Sequence, residues 1–143
     1  MAKAFSSVAN VVETADQFFF VADALHKRLN SRSLTQGNSE PSDALYGLLI
    51  EEYGLRTRAG ILRNSAKAHV INNSSVDHSD LIQLLRKSAE TISKIDDLLP
   101  LTRLTTTIST ICVGINPDKG HVVDFLVNEL QEDLNHLRLH VTE

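Results

Sequence analysis

Charged side chains at helical spacing are the first residues of this sequence that could do chemistry. Glu52, Arg56 and Arg63 are separated by four and seven positions, so a helix would bring all three to one side. Two guanidinium groups in that arrangement could hold a carboxylate or a phosphate. The same spacing is typical of a structural Glu52–Arg56 ion pair at the edge of a core, which is the commoner arrangement. The pattern therefore predicts either a site for a small anionic ligand or an intrahelical ion pair.

A second group of polar residues lies toward the C-terminus. Glu129, Asp133, His136 and His140 follow steps of four, three and four residues, which would align two carboxylates and two imidazoles on one helix flank. These groups are ligands for zinc and similar transition metals. No other segment offers a matching pair of ligands, so a solvated helix flank is the interpretation we favour. We expect no cofactor, because the sequence also lacks a glycine-rich phosphate loop and zinc-finger spacing.

A third pattern is the segment Arg63-Asn-Ser-Ala-Lys-Ala-His69. It resembles the Arg-x(4 to 6)-His motif of the HEPN ribonuclease families, which are helical bundles in which a polar residue often follows the arginine. The resemblance implies metal-independent RNA cleavage by Arg63 and His69, usually at a site completed across a dimer. Histidine can move a proton, and arginine can stabilise a developing phosphorane. A ribonuclease or another nucleotide-acting enzyme is therefore the alternative to a non-catalytic function.

Composition and charge restrict the class of protein. The chain has 143 residues, of which 42% are hydrophobic, so we expect residues 1–143 to form a single domain. The formal net charge of −4 disfavours general nucleic-acid binding, which needs a positive field. Cys112 is the only cysteine, so an intrachain disulfide is excluded. Without an apparent export signal or an apolar stretch of about 20 residues, the sequence predicts a cytoplasmic protein that does not enter membranes.

Hydrophobic residues recur at three- and four-residue steps along most of the chain, which predicts helices. The predicted helices cover residues 7–30, about 41–71, 77–100, 101–115 and 116–141. Pro100 either ends the third helix or begins a new one. Residues 101–115 are rich in β-branched side chains, but their apolar spacing is helical and no partner strand exists. Residues 31–41 are rich in turn formers and predict a flexible loop. Together these elements predict an all-α, up-and-down antiparallel bundle of four long helices and one shorter helix.

The predicted second helix has apolar residues on two sides. One side carries Leu48, Leu55 and Leu62, and roughly opposite them lie Tyr46, Ile50, Tyr53 and Ile61. A helix with this pattern is either central in its own bundle or shared with another subunit. Gly47, Gly54 and Gly60 would let a neighbouring backbone approach closely.

These two apolar sides, together with Phe20 and Ile82 at positions expected to be exposed, predict a homo-oligomer. A dimer is the simplest such assembly, with Tyr46, Ile50, Tyr53, Ile61 and Phe20 as interface candidates. The leading functional hypothesis is therefore a non-catalytic helical bundle that binds a protein partner or a small ligand. Cys112 lies on the apolar stripe of its predicted helix and is interpreted as a small core residue.

Overall fold

The structure is a computed structural model that describes residues 2–30 and 43–141, and the side chains of residues 2–137 within those ranges. It contains five α-helices and one short 3₁₀ turn, Ala66–His69. The helices are α1 (Val8–Leu29), α2 (Asp43–Asn64), α3 (His78–Ile92), α4 (Leu98–Gly114) and α5 (Gly120–Val141). The predicted all-α bundle is confirmed, and the β-branched segment is a helix. The predicted loop at 31–41 lies outside the described residues.

Two helix starts follow the sequence prediction because their capping residues act locally. The Ser7 side chain accepts a hydrogen bond from the Asn10 backbone N–H at 3.1 Å, at the start of α1. Asp77 accepts from the Asp80 N–H at 3.2 Å, at the start of α3. Each cap satisfies one of the backbone donors that a helix N-terminus leaves without a partner.

Three predicted boundaries are wrong. The second helix ends at Asn64 rather than near residue 71, and the third ends at Ile92 rather than at Pro100. Of the two predicted roles of Pro100, the structure bears out the second, since Pro100 lies in the first turn of α4, where a missing N–H costs nothing. The last helix begins at Gly120, because the Lys119 N–H donates to the Asn116 carbonyl at 3.0 Å and the residues between form a turn.

The helix that occupies the centre of the bundle is α1. It packs extensively against both α2 and α3, whereas α4 lies on α2 and α5 lies on α4. Asp16 pairs with Arg63 and Asp23 with Arg56, so α1 and α2 run antiparallel. Glu13 pairs with His78 at the start of α3, and the C-terminal end of α1 lies beside the residues that follow α3, so these two helices are parallel. Successive helices therefore alternate in direction, but α3 packs on α1 and not on α2, the helix that precedes it in the chain.

The segment before α1 explains why α2 ends early. The Ala4 N–H donates to the Val76 carbonyl at 2.8 Å, and the Ile71 N–H donates to the Phe5 carbonyl at 2.8 Å. These bonds hold residues 71–76, which belong to no helix, alongside the N-terminal segment. Phe5 has a φ of 63°, a left-handed conformation that costs about 1–2 kcal/mol for a residue other than glycine. The complete burial of its ring offsets that cost.

A carboxylate and an arginine attach the connecting segments to the bundle. Asp124 accepts hydrogen bonds from the Ser74 hydroxyl at 2.7 Å, the Ser75 N–H at 2.7 Å and the Ser75 hydroxyl at 2.8 Å. Arg28 is buried and donates to the Ile95 carbonyl and to Asp96, both at 2.6 Å.

A membrane span would need a longer uninterrupted apolar stretch than any helix in residues 2–30 and 43–141 provides.

We expect Asp124→Ala to lower the free energy of unfolding by about 2–3 kcal/mol, since hydrogen bonds to a charged group are worth about 1.5–3 kcal/mol and a partly buried serine loses its acceptor. Chemical denaturation followed by circular dichroism measures the change. Glu132→Ala is the matched control, because Glu132 lies exposed on the same helix. Equal midpoints for Asp124→Ala and the control would contradict the assignment.

Candidate functional site

Glu52, Arg56 and Arg63 lie on the side of α2 that faces α1, as the spacing predicts. Arg56 donates to Glu52 at 3.0 Å and pairs with Asp23 of α1 at 2.9 Å. Arg63 pairs with Asp16 of α1. Glu52 is 7% exposed, and its carboxylate also lies 3.1 Å from Nδ1 of His26. Both arginines therefore already contact carboxylates of their own chain.

The charge balance of this cluster favours the ion-pair interpretation. Burial disfavours the Arg56 cation, but hydrogen bonds to Glu52 and Asp23, and the charges of both, outweigh it and raise the pKa of Arg56 above its ordinary value. An incoming anion would compete with these carboxylates for the two guanidinium groups. The anionic ligand at Glu52, Arg56 and Arg63 stays a prediction.

The end of α2 separates the two residues of the ribonuclease pattern. Arg63 is in the last turn of α2 and pairs with Asp16, whereas His69 ends the 3₁₀ turn that follows. His69 Nδ1 lies 2.8 Å from the Ser65 carbonyl, so this nitrogen carries the proton and donates it. Arg63 borders a shallow surface groove whose wall also includes Val8 and Lys67. Neither contact tests the enzymatic hypothesis.

We expect the His69→Ala variant and the wild type to have the same activity toward single-stranded RNA. The reason is that Arg63 pairs with a carboxylate and His69 donates to a backbone carbonyl of the same chain. A gel assay with a chelator present measures metal-independent cleavage, and Lys67→Ala serves as the control for loss of a neighbouring charge. A loss of cleavage confined to His69→Ala and Arg63→Ala would establish the ribonuclease instead.

The C-terminal group of candidate metal ligands is only partly described. Asp133 and His136 line a cleft of about 240 Å³ between α4 and α5, together with Leu99 and Arg103. Asp133 accepts a hydrogen bond from the Thr107 hydroxyl at 3.0 Å. Among the side chains that the structure describes, no group of three or more His, Cys, Asp or Glu could hold a metal ion. Since the side chain of His140 lies outside that description, the metal site with Glu129, Asp133, His136 and His140 stays a prediction.

The second apolar side of α2 is exposed from Tyr46 to the end of the helix. We call this surface the outer face of α2. Its residues are uncharged and follow helical spacing: Tyr46, Gly47, Ile50, Tyr53, Gly54, Thr57, Gly60, Ile61 and Asn64. Ile50 is 72% exposed, Tyr53 76% and Tyr46 54%. A Cβ added to Gly47, Gly54 or Gly60 would have open space around it. Apart from the neighbouring residues of its own helix, no heavy atom of the described residues would lie within 4 Å of it.

The predicted interface candidates are therefore all exposed, and Phe20 on α1 is exposed as well. Ile82 is half-buried rather than exposed. Ile71, which continued the second apolar stripe in the sequence, is fully buried because α2 ends before it. Of the two explanations for a helix with two apolar sides, a central position in its own bundle is wrong, since α1 occupies that position.

The sequence prediction did not connect two charged residues that lie beside the outer face. Glu51 and Arg58 lie on the flank of α2 near α4, and Arg58 donates weakly to the Val113 carbonyl at 3.4 Å. Neither residue forms an ion pair with any other described residue, and the Arg58 Nε is buried without a hydrogen-bond partner there. Their seven-residue separation on one helix was the available signal.

Cys112 is a buried core residue of α4, as the sequence predicts. Burial raises the pKa of its thiol from an ordinary value of 9.0 to about 12, although the nearby Arg58 cation acts in the opposite direction. A thiol held in its neutral form at physiological pH is a poor nucleophile. Cys112 therefore packs in the core and offers no reactive group.

The raised pKa of Cys112 predicts a specific loss of stability in alkali. The unfolded thiol ionises above about pH 9 while the folded thiol stays neutral to about pH 12, so its contribution is fully present below pH 9. Through that window the free energy of unfolding should fall by up to about 1.4 kcal/mol per pH unit. Denaturant unfolding of the wild type and of Cys112→Ala, compared between pH 8 and 11, isolates this effect from tyrosine and lysine titration. A pH-independent difference between the two proteins contradicts the prediction.

Comparison with known protein families, with curated proteins and with solved structures finds no match to this chain. The site is therefore assigned from geometry. The arginines at the α1–α2 interface are paired within the chain, and the candidate metal ligands extend beyond the described side chains. In the described part of the chain, the outer face of α2 is a surface on which large apolar side chains are exposed without a charged residue among them.

Proposed function

We propose that this chain is a non-catalytic interaction module that forms a homo-oligomer, most simply a dimer, through the outer face of α2. The observation that carries the proposal is the exposure of Ile50, Tyr53 and Tyr46 on a face that has no charged residue from position 46 to position 64. Contiguous exposed apolar surface of this kind marks interaction sites. Tyrosine is also one of the residues that most often dominates binding energy.

The outward surface of α1 shows what an ordinary solvated helix of this bundle looks like. Phe20 is exposed there, but Asp16, Asp23 and Lys27 stand on the same surface. A single apolar side chain among charged neighbours is normal on a protein surface and indicates no binding site. The outer face of α2 differs because its apolar residues are continuous over several helical turns. Burial of one large apolar side chain contributes about 1.5–3 kcal/mol, so a partner that covered this face would gain substantially.

The glycines of α2 support the same proposal. Three of the six glycines of the chain lie in this one helix, although glycine destabilises a helix interior by about 1 kcal/mol relative to alanine. The described monomer gives no reason for them, since a Cβ at each of the three positions would meet open space. Close approach of a second backbone would supply the missing reason.

We expect wild-type protein to form a dimer and Ile50→Lys to form a monomer, because the variant buries a charge in the interface without a partner. Sedimentation equilibrium or light scattering across a range of concentrations measures the mass. Thermal unfolding of Ile50→Lys, measured well below the dissociation concentration of the wild type, should match that of the wild type because the residue is exposed in the monomer.

Leu99→Lys is the matched control. Leu99 is 80% exposed but lies on α4, away from the outer face of α2, so its replacement should leave the dimer intact. A wild-type protein that stays monomeric at high concentration would overturn the proposed function. A dimer that withstands Ile50→Lys but dissociates with Leu99→Lys would move the interface to the α4–α5 side.

A further inference from the structure

We infer that the partner on the outer face of α2 is a second copy of this chain whose α2 runs antiparallel, with a two-fold axis at the level of residue 55. This inference rests on the proposed function and adds the orientation and register of the pair. Large and small residues share the outer face, and two charged residues beside it, Glu51 and Arg58, have no ion-pair partner among the described residues.

The outer face consists of rows that repeat every seven residues. One row is Tyr46, Tyr53 and Gly60, and the neighbouring row is Ile50, Thr57 and Asn64. Rows spaced in this way are the seam along which two helices pack. In a parallel pair each residue meets its own copy. In an antiparallel pair each residue of one row becomes level with a residue of the other row.

Antiparallel packing matches large residues with small ones. With the axis at residue 55, Ile50 is level with the partner copy's Gly60, and Tyr53 with its Thr57. Tyr46 is level with Asn64 of the other copy, so the phenol and the amide can exchange a hydrogen bond. A parallel pair would set Tyr53 against Tyr53 and leave Gly60 opposite Gly60, which crowds one level and leaves a void at another.

The glycines on the α4 side of the face fit the same register. Ile61 of one copy comes within about 3 Å, along the helix axis, of Gly47 in the other, at 1.5 Å of rise per residue. Gly54 lies next to the axis, so the two copies of Gly54 meet and the backbones can approach closely there. All three glycines, which have open space around them in the monomer, then contact the second copy.

Charge complementarity favours the antiparallel orientation. In an antiparallel pair the two-fold axis lies in the plane of the interface and is perpendicular to both helices. Each flank of α2 therefore lies beside the same flank of the other copy. Glu51 then lies within about 1.5 Å, along the axis, of the level of the other copy's Arg58. Both residues have no ion-pair partner in the described part of the chain. On the opposite flank the two Arg56 side chains come near each other, but each is already neutralised by Glu52 and Asp23.

A stable dimer needs a larger buried surface than one helix face provides. A stable dimer buries about 800 Å² on each partner, and α2 with 22 residues is about 33 Å long. Val113 of α4 lies beside the α4 flank of α2, where its carbonyl accepts the bond from Arg58. Its side chain is 52% exposed and widens the apolar surface.

Disulfide trapping distinguishes the two orientations. In a Cys112→Ala background, Tyr46→Cys and Asn64→Cys are prepared separately, and each is oxidised alone and after the two are mixed and allowed to exchange. In the antiparallel pair, identical positions are separated by about 27 Å along the axis, far beyond the Cα separation of about 4–7 Å that a disulfide allows. We therefore expect a covalent dimer only in the mixture, with Leu99→Cys as the control that stays uncrosslinked.

A charge swap gives an independent measurement. We expect Glu51→Arg to weaken the dimer about tenfold, because two exposed pairs become repulsive. The double variant Glu51→Arg with Arg58→Glu should restore the wild-type dissociation constant. If Tyr46→Cys or Asn64→Cys crosslinks efficiently by itself, or if the double variant stays as weak as the single one while the dimer persists, the antiparallel register is wrong and the proposed function stands. If no dimer forms at all, the proposed function fails as well.

Discussion

The packing of α1 between α2 and α3 sets the arrangement of the other helices. Val11, Phe18, Val21 and Leu25 of α1 are completely buried, which requires a helix on more than one side. α2 covers one side with its leucine stripe, and α3 covers another. Because α1 takes the central position, α2 has α1 and α4 as its helical neighbours among the described elements, and none of these elements covers its second apolar side.

The ion pairs along the α1–α2 interface set the register of this arrangement more than they set its strength. Asp16 and Asp23 are seven residues apart on α1, and their partners Arg63 and Arg56 are seven residues apart on α2. Partly exposed pairs contribute only about 0–1 kcal/mol each. A slip of α2 by one helical turn would separate both pairs and would take the buried carboxylate of Glu52 away from His26 of α1. The Glu52–Arg56 bond lies within α2 and would survive such a slip.

Features that depend on a few neighbouring residues were predictable. The caps at Ser7 and Asp77 act over three residues, and the apolar spacing of residues 101–115 predicts a helix in spite of their β-branched composition. The alignment of Glu52, Arg56 and Arg63 on one side of a helix follows from helical geometry in the same way. The carboxylates that pair with the two arginines were not predictable, because Asp16 and Asp23 lie some 40 residues earlier in the chain, and only the packing of α1 on α2 brings them close.

Local sequence patterns are enough to predict a helical bundle whose second helix has more apolar surface than one neighbour can cover, because capping and periodicity act over a few residues. The end of α2 depends on the folded chain, because residues 2–6 hold the backbone at 71–76 through hydrogen bonds that no local pattern encodes. The apolar side of α2 that faces solvent likewise depends on whether α1 or α2 occupies the centre, which is set by the packing of all five described helices together.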